Sequence, residues 1–291
     1  MFEGMQWMTM CYKKIMSQNG LTEFKALIEK WETLSENLSD KPSGVPIILP
    51  DLFLVSRSGT GRTYFLRLLS EYLADKPNLM DFYGDVKYFE FMLNYCEPNE
   101  YFSEIQRFMT EINNAAGFRS EYRGIVYIDV DEWREHFEEK HFVSFMEYLS
   151  DNSDDWLVVL SVSDDKPEQV KQMEAFASAY IRIERITIEP PTVQELTQYA
   201  QKLLEGYGIT LISQTEKVLS GSIGELCNNK YFDGYKTVKM LCEDIAYSLY
   251  TDGFRNDKGL IPSDLSKFAK DSEYIQRILV KIEKINRIGF C

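Results

Sequence analysis

The chain has 291 residues, room for about two domains. It is 44% hydrophobic and 27% charged, the balance of a globular chain with a sizeable core and not of a disordered one. Its formal net charge of −14 repels nucleic-acid phosphates and anionic lipid, and with no Lys/Arg-rich run to build a basic groove it disfavours nucleic acid as the main partner. Cys11, Cys96, Cys227, Cys242 and Cys291 contain no CxxC pair, and His136 and His141 are too far round a helix to share a face. Free thiols in a reducing cytoplasm are therefore expected, without a disulfide framework or zinc site. No apolar run reaches the ~18 residues that cross a bilayer. The segment from Met1 to Met16 lacks a cationic head before a long apolar stretch and reads as a lead-in, not a secretion signal.

From Leu21 to Leu38, apolar residues at Leu21, Phe24, Leu27, Ile28, Trp31 and Leu34 recur at spacings of three and four, which predicts an amphipathic helix. Asp40 to Pro50, with its prolines and glycine, is a connector. Asp51 to Val55 is a short apolar run that predicts a buried strand. A small-residue loop follows, and then a helix whose face is Phe65, Leu68, Leu69, Tyr72 and Leu73. Further strands are expected at Val86 to Leu93, Gly124 to Asp129, Trp156 to Ser161 and Ile181 to Ile188, with helices at Tyr101 to Ile112 and Phe142 to Leu149. Strands alternating with helices predict a parallel sheet covered on both faces. After Pro190-Pro191 the pattern turns helical. Thr192 to Glu195 is a capping box, Val193, Leu196, Ala200, Leu203 and Leu204 form one face, and Gly206 or Gly208 ends that helix. More helix is expected at Thr215 to Leu219, Lys236 to Tyr250 and Leu265 to Ile288, with a domain boundary near Glu189.

The loop after the first strand reads Ser56-Arg57-Ser58-Gly59-Thr60-Gly61-Arg62-Thr63. A phosphate-binding loop of the pattern G-x-x-x-x-G-K-[ST] needs small residues so that backbone N–H groups can approach phosphate oxygens, and a helix start whose dipole faces the anion. It also needs a lysine for the outer phosphates and a hydroxyl for magnesium. Gly61 and Thr63 match; Ser56 replaces the first glycine and Arg62 the lysine. Arg62 keeps the charge, but its planar fork does not simply replace a compact ammonium. Nucleotide binding by Ser58, Gly59, Thr60, Gly61, Arg62 and Thr63 is compatible with this change; the geometry for hydrolysis is less so.

A second motif, Ile125-Val-Tyr-Ile-Asp129-Val-Asp131-Glu132, is an apolar strand ending in carboxylates, the arrangement that holds magnesium and orients an attacking water. Two alignments are open. With Asp129 on the metal, the residue after it is Val130 and the water-activating carboxylate is missing. With Asp131 and Glu132 as the pair, the motif is intact but displaced by two residues, which keeps the same strand face. A plain cap of the next helix is the bland role for both.

Together these segments resemble the AAA+ ATPase family of P-loop NTPases over roughly Asp51 to Tyr250. Ser56 to Thr63 is similar to Walker A and Ile125 to Glu132 to Walker B. Trp156 to Ser163 is similar to the sensor-1 strand, with Ser161 or Ser163 in the sensor place. Arg182, or else Arg185, stands where the family's arginine finger reaches a neighbouring subunit, and Gly234-Tyr235-Lys236 looks like sensor 2 with lysine for arginine. Tyr95 in Asn94 to Pro98 sits where unfoldases carry a pore loop, but the glycine of that loop is absent, which puts substrate threading in doubt.

The resemblance implies an α/β fold: a parallel five-stranded sheet between helices in the order 5-1-4-3-2, followed by a small helical lid. The divisions are 1–50 as lead-in and connector, 51–189 as nucleotide-binding domain and 190–291 as lid. It implies ATP and Mg2+ as cofactors, with Thr63 and Asp129 on the metal. Glu132, Asp131, Arg182 and Ser161 are the candidate catalytic groups, and Lys236 is a further nucleotide contact. The adenine pocket is expected near Gly44 to Ile48. Three functions follow: an ATP binder with weak or lost hydrolysis that acts as a nucleotide-gated scaffold, an active Mg-dependent ATPase that remodels a protein partner, or an interaction module that has lost its ligand. A protein partner and a homo-oligomer are expected; a membrane is not.

Overall fold

The computed structural model describes residues 11–18, 21–39, 49–57, 59–79, 88–93, 95, 107, 110, 124–151, 156–229, 232–253, 262–270 and 272–276. Ser58, the connector from Gly44 to Ile48, most of Tyr101 to Ile112, Asn94 with Cys96 to Pro98, and residues 277–288 lie outside them. By contacts the chain divides into two compact units. One joins residues up to Arg57 with Arg62–Glu189; the other joins the short loop ending at Gly61 with the chain from Pro190 onward.

The first unit is built on strands β1 (Asp51–Ser56), β2 (Tyr88–Met92), β3 (Gly124–Asp129), β4 (Trp156–Val162) and β5 (Ile183–Ile188). All pair in parallel, in the spatial order β2-β3-β4-β1-β5, which is the order the resemblance implied. The middle strands β1 and β4 are buried at every position, as expected for parallel strands covered on both faces. The edge strands β2 and β5 are only partly buried.

Because side chains alternate along a strand, each central strand feeds two cores. Leu52, Leu54, Ile125, Tyr127, Leu157 and Val159 face one side. There they meet Phe24, Leu27, Ile28 and Trp31 of α1 (Thr22–Ser39) and Phe65, Leu68, Leu69 and Tyr72 of α2 (Arg62–Ala74). Phe53, Val55, Val126, Ile128, Val158 and Leu160 face the other side, against Phe142, Phe145 and Leu149 of α3 (Lys140–Asp151) and Val170 and Met173 of α4 (Pro167–Ala177). The α4 helix has no counterpart among the sequence expectations, although Pro167 at its first turn and Val170, Met173 and Ala177 at spacings of three and four carry its signature.

α1 is fastened by charge as well as by packing. The Lys76 ammonium, 2% exposed, bonds the Glu32 carboxylate at 2.6 Å, and the Tyr72 hydroxyl donates to the same group at 3.0 Å. A buried ammonium is tolerated only when paired in this way.

The second unit contains α5 (Val193–Gly206), α6 (Ser213–Cys227), α7 (Gly234–Thr251) and a 3-10 segment, Pro262–Phe268. α5 starts on the expected capping box: Thr192 Oγ1 accepts from the Glu195 amide, and the Glu195 carboxylate accepts from the Thr192 amide. Leu196, Ala200, Leu204, Leu219, Ile223, Leu226, Leu241 and Ile245 make the core of this unit. α6 runs well beyond the expected Thr215 to Leu219. The segment expected to be helical from Leu265 begins instead as 3-10 turns. No helix among the described residues is long and apolar enough to cross a membrane.

Asp51, the first residue of β1, is 5% exposed, and its Oδ1 accepts from the Val158 amide of β4 at 2.7 Å. Burial pushes its carboxyl up to about 7 from an ordinary value of 3.8, against the pull of the Val158 amide and the Arg182 charge. With the folded value above the unfolded one, its contribution to stability is full below the unfolded value and is lost as pH rises through about 7. Asp51→Asn keeps the acceptor and removes the ionisation. Thermal denaturation from acid to mildly alkaline pH should therefore show the variant gaining on the wild type as pH rises, by on the order of 1–4 kcal/mol. A difference that is flat with pH would contradict the buried-carboxyl account.

Candidate functional site

β1 ends at Ser56, and after a short loop α2 begins at Arg62. Gly59 and Gly61 have φ of +75° and +94°, values at which a Cβ is strained, so the small residues of the motif are required by the backbone path. Thr60 between them is buried, and Thr63 is exposed in the first turn of α2. Ser56, in the place of the motif's first glycine, is 1% exposed, and its hydroxyl has no hydrogen-bond partner among the described residues.

Gly59, Thr60 and Gly61 belong with the helical unit. The Tyr235 amide, in the first turn of α7, donates to the Gly59 carbonyl at 3.1 Å. A Cβ on Gly59 would lie 2.3 Å from the carbonyl carbon of Asp233, and one on Gly234 would lie 2.1 Å from the Gly59 oxygen. Both glycines are thus required for a backbone-on-backbone contact. The Tyr235 ring packs edge-on to Tyr199 and comes within 3.7 Å of where a Cβ on Gly61 would stand. Lys236, the sensor-2 candidate, is exposed, with Nζ 3.5 Å from Asp233.

In the α/β unit, the Arg62 side chain runs to the ends of β3 and β4. Its Nη1 donates to Asp129 Oδ2 at 2.8 Å and to the Tyr127 hydroxyl at 3.0 Å, and lies 3.4 Å from Ser161 Oγ. Parallel pairing sets Asp129 beside Ser161. The two-residue period sets Tyr127 on the Asp129 face, the face that α2 covers. Burial works to lower the Arg62 pKa, but Tyr127 and Asp129 outweigh it and hold the guanidinium above its ordinary value. Burial also pushes the Tyr127 phenol up, against the pull of Arg62 and Ser161, so Tyr127 stays neutral. The second oxygen of Asp129, Oδ1, accepts from the Asp131 amide at 3.1 Å. Both carboxylate oxygens are therefore engaged within the chain.

The carboxylates that follow are also committed. Asp131 Oδ1 accepts from the Ser163 amide at 2.6 Å and the Ser163 hydroxyl at 2.7 Å, and Asp131 pairs with Arg134, which also bonds Asp165 and the Ser163 carbonyl. The side chain of Arg134 is only 9% exposed, so this cluster is a structural clasp between the ends of β3 and β4. Asp165 is held below the usual carboxylate range, chiefly by its bond from Arg134. Glu132 turns to the Tyr95 amide at 2.8 Å, and the Tyr95 ring stacks on His136. The structure thus brings together Arg62, Asp129 and Ser161, adds Tyr127, and sets Asp131 and Ser163 in the neighbouring clasp. Arg182 is exposed just before β5, its carbonyl accepting from the Asp51 amide, whereas Arg185 is paired with Glu174 at 3.0 Å.

Sequence reasoning did not single out Tyr127 or Arg134, and it named Gly234 only as part of the sensor-2 look-alike. The period of two from Asp129 marks Tyr127, whereas the need for a missing Cβ at Gly234 arises only where the Gly59 backbone meets it.

Two substitutions test these contacts by denaturation. Tyr127→Phe removes one acceptor of a half-buried guanidinium and should cost about 1 kcal/mol. Gly59→Ala adds a Cβ at positive φ against the Asp233 carbonyl and should cost on the order of 1–3 kcal/mol. A neutral Gly59→Ala would mean that the close approach to Gly234 does not persist in solution.

No family model and no curated protein matches the chain. Solved structures do. The FIGL-1 AAA domain aligns at 13% identity over 92% of this chain and 88% of that one, with a TM-score of 0.51. A RuvB variant from Thermotoga maritima aligns at 14% identity over 91% and 78%, also at 0.51. At these identities the likeness speaks for the fold, and it agrees with the parallel strand order and with the glycine loop between β1 and α2. The chain has the fold of the AAA+ ATPases, and its loop from Ser56 to Thr63 and acidic strand end both depart from the Walker patterns they resemble.

Proposed function

We propose that this protein binds a nucleoside triphosphate or diphosphate through the loop Gly59 to Thr63 and Arg62, hydrolyses it weakly or not at all, and acts as a nucleotide-gated scaffold or regulator of a protein assembly. The observation that carries the reading is the Arg62 guanidinium, placed at the foot of a positive-φ glycine loop and bonded to Asp129 and Tyr127. A buried strand, a glycine turn and a helix start with an anchored cation make an anion site.

Loss of turnover is supported by the carboxylates. General-base work on a water needs a carboxylate with a free oxygen close to the outer phosphate. Val130, fully buried, follows Asp129; Asp131 has both oxygens held by Ser163 and Arg134, and Glu132 is turned to the Tyr95 amide through Oε2. In this reading Asp131 and Glu132 are structural. Ser161 positions Arg62, and Arg182, exposed before β5, is the candidate contact to a neighbouring subunit. The acidic balance, −14, favours a protein partner over nucleic acid.

One observation favours a second reading, an interaction module without a ligand. The first turn of α7 already bonds the Gly59 carbonyl, so the loop has a partner inside the chain.

Calorimetric titration of ATP beside a phosphate-release assay on the same sample decides between them. Micromolar binding with no turnover above the buffer blank is expected, and Glu132→Gln should leave both unchanged. Turnover that disappears in Glu132→Gln would make this an active ATPase with a displaced acidic motif. Silence at millimolar nucleotide would leave the interaction module.

A further inference from the structure

In the AAA+ reading, Thr63 and Asp129 would hold Mg2+. The described geometry does not fit that ion. Magnesium requires near-octahedral oxygen ligands at about 2.1 Å and takes one or two carboxylates beside the substrate phosphates. Asp129 is the carboxylate at the end of β3, and its Oδ2 already carries the Arg62 guanidinium at 2.8 Å while its Oδ1 carries the Asp131 amide at 3.1 Å. A divalent ion on Asp129 would have to displace a cation that three side chains hold in place, or sit against its positive charge.

Resting on the nucleotide-binding reading above, we infer that Arg62 is the resident cation of this site, and that the nucleotide it takes is the divalent-free form. The hydrogen bonds that fix the guanidinium to β3 and β4 all leave from Nη1. The planar fork keeps Nε and Nη2 on its other edge, and a guanidinium anchored on one edge offers the other as a two-donor clamp for phosphate oxygens. Its charge is permanent near neutral pH, and Asp129, Tyr127 and Ser161 orient it before any ligand arrives, which lowers the ordering cost of binding. Lysine cannot serve both edges: a compact ammonium that bonds Asp129 and Tyr127 has one remaining donor and no second edge. Arginine at position 62 can therefore hold Asp129 and still present two donors on its other edge.

The substrate class follows. An anchored +1 charge favours free nucleotide with its full phosphate charge. Magnesium bound to the nucleotide lowers that charge and has no ligand waiting for it.

The test is calorimetry of ADP and ATP with the full chain, in excess EDTA and again in excess MgCl2. Wild type should bind equally or more tightly in EDTA. Binding that weakens by about tenfold or more in EDTA would overturn the inference and leave the nucleotide-binding reading intact. No heat in either buffer would overturn the reading itself, and the inference with it. Arg62→Lys, which keeps charge and helix propensity, should weaken EDTA binding by about tenfold while recovering affinity in MgCl2. An Arg62→Lys protein as indifferent to magnesium as wild type would show that Arg62 is not the cation and would overturn the inference. Water-proton relaxation with Mn2+ and ADP supplies a readout independent of affinity: no enhancement is expected for wild type, and enhancement abolished by Asp129→Asn would contradict the proposal.

Discussion

The contact between Arg62 and Asp129 is the constraint on which the site depends. It joins the start of α2 to the end of β3, and through Tyr127 and Ser161 it reaches along β3 and across to β4. The pair is only partly exposed, so neither charge is well solvated alone, and removing one would leave the other without its counter-charge. The sheet makes the contact possible. Parallel pairing of β3 with β4 sets Asp129 and Ser161 side by side, and β1 pairs with β4 along its other edge.

That arrangement separates two tasks a nucleotide site performs. Holding phosphate needs a glycine backbone and a cation, and both are present in Gly59, Gly61 and Arg62. Breaking a phosphoanhydride bond needs an activated water and charge stabilisation at the outer phosphate. Of the carboxylates after β3, Asp131 is bonded in the clasp with Arg134 and Ser163, and Glu132 accepts from the Tyr95 amide through Oε2.

Much of the fold was legible in the sequence because the central strands are buried on both sides. Asp51 to Val55, Gly124 to Asp129 and Trp156 to Ser161 are near-continuous apolar runs, and the loop and capping-box residues punctuate them. The strand order came from the resemblance and not from the pattern, since periodicity carries no information on which strands pair. α4 was missed although its spacing is regular, because the sequence around it reads as a polar turn after β4. The site was less legible than the fold. The residues in the loop and at the end of β3 could be named, but that the Arg62 side chain would close on Asp129 is a long-range contact set by topology, 67 residues apart. The choice between Asp129 and the Asp131/Glu132 pair stayed open in the sequence because both lie on one strand face. Asp131 and Glu132 bond residues 32 and 37 positions away, contacts that no local pattern carries.

The most direct measurement is a crystal structure of the full chain grown with ADP and Mn2+, with anomalous data collected at the manganese edge. The account predicts phosphate oxygens on the outer edge of the Arg62 guanidinium, the Arg62–Asp129 bond intact, and no anomalous peak beside Asp129. A manganese peak ligated by Thr63 and Asp129, with Arg62 swung away, would contradict it.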